Sequence, residues 1–152
     1  MRKQKHADRG ADIASPGPAR SGPVIEIRGR SQFEAEVIDS ELPVVVDFWG
    51  SRCAPCRVMA PVFQACAEAF ADQARFVKVN TETNAQIARA FNIRSIPTLA
   101  IFYRGEVFDV HVGATPRNQL EAMVRRAVDK HRGVGLFDKL KRFWSRPSNP
   151  PA

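Results

Sequence analysis

The feature that most constrains this chain is an apolar stretch that ends in two closely spaced cysteines. Residues 44–49 read Val-Val-Val-Asp-Phe-Trp, and their β-branched and aromatic side chains predict a buried strand. A short turn follows, and then Cys53 and Cys56 stand two residues apart where a long segment with helical spacing begins. A Cys-x-x-Cys pair at such a strand-to-helix junction indicates a thiol–disulfide redox site, with a chance pair of structural cysteines as the alternative.

The spacing of the two cysteines suits one turn of helix. Residues three apart lie on neighbouring faces of a turn, so the sulfurs of Cys53 and Cys56 can reach each other. Cys53 would lie at the helix start, where unpaired N–H groups and the helix dipole stabilise a thiolate. We therefore expect Cys53 to be the attacking nucleophile and Cys56 the resolving thiol. A zinc site is disfavoured, because no second cysteine pair or nearby histidine completes four ligands.

Several motifs, in order, resemble the thioredoxin family. They lie at residues 47–49, 53–57, 59–61, 95–98 and 112–114, within a resemblance that covers residues 24–131. The resemblance implies an α/β protein with the thioredoxin fold, a central mixed five-stranded sheet flanked by helices. It also implies a redox-active dithiol.

Periodicity along the chain predicts the same order of elements, β-α-β-α-β-α-β-β-α. The predicted strands are residues 24–27, 43–49, 75–80, 97–103 and 106–112, and the predicted helices are 31–39, 54–71, 83–90 and 116–131. Two helix starts are predicted from capping boxes, one from Ser31 to Glu34 and one from Thr83 to Gln86.

One aspartate lies inside the apolar strand. A lone carboxylate there should be desolvated, which raises the pKa of Asp47. The resemblance implies that Asp47 lies behind the cysteines and helps to move the proton of the resolving thiol, with Lys78 pairing near it. The alternatives are a solvent-facing edge residue for Asp47 and a solvated charge for Lys78. Trp49 is expected either beside the redox turn or as a plain core aromatic.

The resemblance also implies a substrate-binding surface around the dithiol. Ile96-Pro97 matches the family's cis-proline segment, whose backbone lies beside the nucleophile and can bind an extended client. Gly113 matches a second substrate-contacting loop.

The turn that carries the cysteines departs from the family at two positions. Arg52 stands where the family usually has Trp, and Ala54 where it usually has Gly; Pro55 matches. We expect all three residues to contact substrate. A cation beside Cys53 should favour its thiolate, whereas the lost apolar surface should weaken docking of ordinary partners.

Charge separates the ends of the chain from its middle. Residues 1–20 contain five Lys/Arg and two Asp, residues 21–124 contain ten basic and twelve acidic residues, and residues 125–152 contain eight and two. The near-neutral middle argues against specific nucleic-acid binding. We predict a disordered N-terminal extension at 1–22, a thioredoxin domain at 23–132 and a basic amphipathic C-terminal tail at 133–152.

The C-terminal tail has apolar residues on one helical face, namely Leu136, Phe137, Leu140, Phe143 and Trp144. It could fold back on the domain, bind a partner or lie weakly on an anionic membrane surface. Domain docking or partner contact is favoured.

Composition points to a reducing compartment. The first twenty residues contain no apolar core of a signal peptide, and no run is long enough to span a bilayer. The three cysteines do not make a disulfide framework, and Cys66 is expected to be a buried core thiol rather than a regulatory one. We expect a cytoplasmic monomer.

These observations predict an enzyme that reduces protein disulfides through Cys53 and Cys56. By resemblance, an NADPH-dependent flavoprotein reductase would restore the dithiol, so the chain itself would need no bound cofactor or metal. The alternative is a binding or chaperone-like module that uses the same surface without turnover.

Overall fold

The computed structural model describes residues 24–133. The elements in this range are β1 (Ile25–Glu26), α1 (Arg30–Phe33), β2 (Val44–Trp49), α2 (Ala54–Ala69), β3 (Arg75–Asn80), α3 (Ala85–Ala90), β4 (Thr98–Tyr103), β5 (Glu106–Val112) and α4 (Arg117–His131). Helix α1 continues into a π-helical turn, Glu34–Ile38, whose wider hydrogen bond runs from the Asp39 N–H to the Glu34 carbonyl at 2.9 Å.

The five strands form one mixed sheet in the order β1-β3-β2-β4-β5. Strands β1 and β2 run parallel to β3, whereas β4 runs antiparallel to both β2 and β5. The predicted fold class is confirmed. Strand β2 is central, and its carboxyl end leads directly into the turn that carries the cysteines.

The alternation of side chains along β2 builds a core on both faces of the sheet. Val44, Val46 and Phe48 pack with residues of α1 and α3, including Phe33 and Ile87. Val45 packs on the other face against residues of α2 and α4, among them Met59, Phe63, Cys66, Leu120 and Val124. Because alternate residues share a face, Asp47 and Trp49 lie on the α2 side with Val45.

The predicted bounds agree with the structure to within two residues, but the two predicted capping boxes are not formed. Helix α1 begins after Gly29, which has a φ of 100°, a conformation that glycine adopts readily because it has no Cβ atom. No side chain caps this helix start, and the Gln32 side chain instead accepts the Arg28 N–H at 2.8 Å. Helix α3 begins after Asn84 instead of Thr83. The Asn84 side chain accepts the Gly29 N–H at 2.9 Å and donates to the Ile27 carbonyl at 3.2 Å. A tertiary link to the end of β1 therefore replaces the local cap.

Two predictions fall outside the described residues: the N-terminal extension at 1–22 and the amphipathic tail segment at 136–145. Within residues 24–133, no helix combines the length and the apolar character needed to cross a membrane.

Candidate active site

The two cysteines of the motif lie at the start of α2. They are joined as a disulfide, with their Cα atoms 5.2 Å apart. Cys53 is the N-cap residue, with extended backbone, and its sulfur accepts the backbone N–H of Cys56 at 3.2 Å. Pro55 occupies the first turn, where an N–H is not required. No group of three or more His, Cys, Asp or Glu in residues 24–133 is placed to hold a metal ion.

Two loops from distant parts of the chain meet beside Cys53. The Cys53 sulfur lies 3.7 Å from the carbonyl oxygen of Ile96, and the Ile96–Pro97 peptide bond is cis, as predicted. The Pro97 carbonyl accepts the N–H of Gly113 at 2.8 Å. The structure thus brings Ile96, Pro97 and Gly113 to the redox turn, where the resemblance places a client.

The turn before Cys53 packs closely on the Ile96 loop. A Cβ atom built on Gly50 would lie 2.7 Å from Cδ1 of Ile96, so any larger residue would push that side chain away. The next residue, Ser51, donates from its hydroxyl to Glu82 at 2.6 Å. Arg52, Ala54 and Pro55 follow as exposed side chains around the cysteines.

Asp47 is fully buried in the central strand, which excludes the solvent-facing alternative. Neither of its carboxylate oxygens has a hydrogen-bond partner among residues 24–133. Burial raises the pKa of Asp47 to about 6, Glu26 adds to the increase, and the nearby charge of Lys78 opposes it. The carboxyl group therefore titrates close to neutral pH.

Lys78 lies opposite Asp47 in the β2–β3 register, but it forms no ion pair with Asp47 in the described structure. Its ammonium group lies over the ring of Trp49, 4.6 Å from the centroid. The Trp49 indole N–H donates to Glu26 at 3.2 Å, and Glu26 is the register partner of Lys78 on β1. Trp49 is thus half-buried in a charged cluster beside the redox turn.

Sequence reasoning did not identify Glu26 as part of this cluster. Burial raises the pKa of Glu26, while the Trp49 hydrogen bond and the charges of Lys78 and Arg28 lower it. The sequence does place Glu26 in a short first strand, but periodicity does not state which strand it pairs with.

The part of the chain that forms this site is similar to known proteins. Residues 24–126 match the family model for Thioredoxin. The chain belongs to the thioredoxin family. The thioredoxin of Porphyra purpurea is 45% identical over 98 residues, which cover 64% of this chain and 92% of the relative. Thioredoxin 1 of Synechococcus elongatus is 46% identical over 99 residues, covering 65% and 89%.

A solved structure of the family has the same fold. The thioredoxin of Malassezia sympodialis (Mala s 13) matches this chain with a TM-score of 0.66 at 33% identity. The match covers 70% of this chain and 92% of that one. The family and the Cys53–Cys56 pair together establish a thiol–disulfide oxidoreductase that reduces protein disulfides. They favour this enzyme over the non-catalytic module.

The third cysteine of this thioredoxin-family chain is separate from the redox pair. Cys66 is fully buried in α2 among core residues and forms no disulfide. Burial, with a further contribution from Glu121, raises the pKa of the Cys66 thiol to about 12. A protonated, buried thiol is a poor nucleophile, which is consistent with the expected core role.

Proposed function

We propose that Cys53 attacks the client and that Cys56 completes the reaction. The Cys53 thiolate forms a bond to one client sulfur, and the client disulfide breaks to release a client thiolate. The Cys56 thiolate then attacks the Cys53 sulfur and releases the second client sulfur as a thiolate, and the two client thiolates take up one proton that comes from Cys56 and one from solvent. The client gains two electrons and two protons, and the chain keeps the Cys53–Cys56 disulfide.

The observation that carries this assignment is the N-cap position of Cys53. In the reduced state, the Cys56 N–H and the other unpaired amides of the first turn can stabilise a negative sulfur at Cys53. Cys53 also keeps the larger exposed fraction, 8% against 4% for Cys56. Cys56 is deeper in the turn and suits the internal second attack.

Asp47 is proposed to take the proton of Cys56 before that second attack. Two facts support this role: Asp47 lies on the face of the sheet that α2 covers, and Cys56 is a buried residue of α2. A carboxyl group with a pKa of about 6 can accept and return a proton near neutral pH. Lys78 is proposed to act through Asp47, because its positive charge lowers the pKa of that carboxyl group.

An extended client segment is proposed to bind beside the Ile96–Pro97 backbone. The 3.7 Å approach of the Ile96 carbonyl to the Cys53 sulfur supports this placement. The link from Gly113 to Pro97 adds a second loop to the same surface. The exposed Arg52, Ala54 and Pro55, which flank Cys53 in the chain, would also contact the client.

The dithiol is proposed to be restored by an NADPH-dependent flavoprotein reductase, with the chain acting as a monomer in the cytoplasm. The family resemblance supports the reductase. A reducing compartment keeps such a dithiol available for repeated turnover.

The C-terminal tail, residues 133–152, is proposed to contact the domain or a partner protein rather than a membrane. Its short amphipathic pattern supports a contact, and its length disfavours strong lipid binding alone. Co-sedimentation with anionic vesicles, comparing the full chain with a chain ending at Arg132, tests this. Selective pelleting of the full chain would contradict the proposal.

Insulin reduction coupled to NADPH oxidation by a flavoprotein reductase tests the assigned roles. We expect turnover by the wild type and the matched Cys66→Ala control, and none by Cys53→Ser. Cys56→Ser should also fail in steady state, because its mixed disulfide cannot be resolved internally. Equal turnover by wild type and Cys53→Ser would contradict the role of Cys53.

A further inference from the structure

Three exposed arginines lie near the redox pair, two of them adjacent to it in the chain and one on the loop that contacts it. Arg52 directly precedes Cys53, and Arg57 follows Cys56 in the first turn of α2. Arg94 lies two residues before Ile96, whose carbonyl oxygen is 3.7 Å from the Cys53 sulfur. We call Arg52, Arg57 and Arg94 the arginine rim.

The two loops that carry Arg52 and Arg94 touch each other. The close approach of Ile96 to Gly50 packs the Ile96 loop against the turn that leads to Arg52. The Arg94 side chain is oriented by a hydrogen bond from its Nε to the neutral side chain of Asn92 at 3.0 Å. The loops that carry Arg52 and Arg94 are therefore in contact near Cys53, and Arg94 also borders a cavity with Phe48 and Val110.

Among the described residues, no carboxylate forms an ion pair with the arginine rim. None of the three guanidinium groups forms an ion pair with an acidic residue between positions 24 and 133. The neighbouring Glu82 accepts the Ser51 hydroxyl, and Glu26 accepts the Trp49 indole N–H. The rim keeps its positive charge available for a client.

The overall charge of the domain does not account for this surface. Residues 21–124 contain more acidic than basic residues, so the rim is a local concentration of charge. Arg52 stands next to Cys53 in this locally basic part of the chain. A planar guanidinium group binds carboxylates through paired hydrogen bonds.

We infer that the arginine rim selects protein clients whose disulfide is flanked by acidic residues. The inference rests on the proposed attack by Cys53 and names the substrate class of that site. The exchange reaction is the one given above, with no further reactant. Complementary charge would raise the rate of productive encounter and orient the client disulfide toward Cys53.

Two synthetic disulfide peptides that differ only in the flanking residues, Glu in one and Lys in the other, test the inference. The pre-reduced full chain is mixed with each peptide, and the second-order rate constant of peptide reduction is measured at low ionic strength. We expect the Glu peptide to react about tenfold faster or more, since electrostatic steering raises association rates by about 10-fold to 1000-fold. Added salt should bring the two rate constants together.

Variants assign the effect to the rim. Arg52→Gln should lower the ratio of the two rate constants, and Arg52→Glu should lower it further. Arg104→Gln is the matched control, because Arg104 is an exposed arginine in the β4–β5 turn, at the opposite end of β4 from Thr98. The control should keep the wild-type ratio.

Equal rates for the two peptides, or a ratio that Arg52→Gln leaves unchanged, would overturn the inference alone. Failure to reduce either peptide would overturn the proposed reaction as well. A preference for the Glu peptide that falls only in the Arg52 variants supports both.

Discussion

Asp47 and Lys78 stand opposite each other on adjacent parallel strands, yet the ammonium group of Lys78 lies over the ring of Trp49. Asp47 is left buried, with both oxygens unpartnered among the described residues. Lys78 therefore acts on Asp47 through its charge at a distance. This arrangement keeps the pKa of Asp47 at about 6, which suits a group that exchanges protons near neutral pH.

Asp47→Asn should stabilise the oxidised protein, and more so at high pH. Folding raises the pKa of Asp47 to about 6. Protonation of this carboxyl group therefore adds to the free energy of unfolding of the wild type at low pH, and this stabilisation is lost as pH rises through about 6. The shift from 3.8 to about 6 is about two pKa units, each worth about 1.4 kcal/mol, so the free energy of unfolding of the variant should rise relative to wild type by about 3 kcal/mol between about pH 3 and pH 8.

Denaturant unfolding of both proteins across this pH range measures the difference. Asp72→Asn, at an exposed position, controls for the loss of one carboxylate. A gain in the free energy of unfolding that is the same at both ends of the range would contradict the account of Asp47.

Lys78→Gln should raise the pKa of Asp47 further, because the charge of Lys78 now lowers it. Lys78→Arg keeps the positive charge and should change the pKa of Asp47 less. Titration of the Asp47 carboxyl carbon by NMR in the oxidised protein gives the values directly. An unchanged midpoint in Lys78→Gln would show that Lys78 does not tune Asp47.

Cys66 should resist alkylation in the folded, reduced protein, because burial keeps its thiol protonated and out of contact with solvent. Iodoacetamide treatment followed by peptide mass analysis should find modification at Cys53 and none at Cys66. Cys66 should react once the chain is unfolded in denaturant, which serves as the control. Rapid modification of Cys66 in the native chain would be evidence against the core assignment.

Arg52→Trp should lower the fraction of Cys53 present as thiolate at neutral pH. The substitution removes a cation one residue from the sulfur and restores the residue that the family usually has there. Ultraviolet absorbance of the reduced protein across pH reports the thiolate, with Arg104→Trp as a matched control. A larger thiolate fraction in Arg52→Trp would refute this electrostatic effect.

The sequence predicted the elements and the dithiol because both are local. The run of β-branched residues before Asp47 identifies a buried strand, and the spacing of Cys53 and Cys56 identifies a helix start. The row that joins Glu26, Lys78 and Asp47 depends on the register of three strands separated by helices, and periodicity does not encode that register. For the same reason, the tertiary role of Asn84 was not predicted.

Trapping of the mixed disulfide tests the central claim most directly. Cys56→Ser and Cys53→Ser are each reduced, mixed with a disulfide-bonded protein client and quenched with acid, and the linked peptides are identified by mass spectrometry. The account predicts that Cys56→Ser accumulates a covalent complex through Cys53 and that Cys53→Ser accumulates none. A complex that forms through Cys56 in Cys53→Ser, with none through Cys53 in Cys56→Ser, would contradict it.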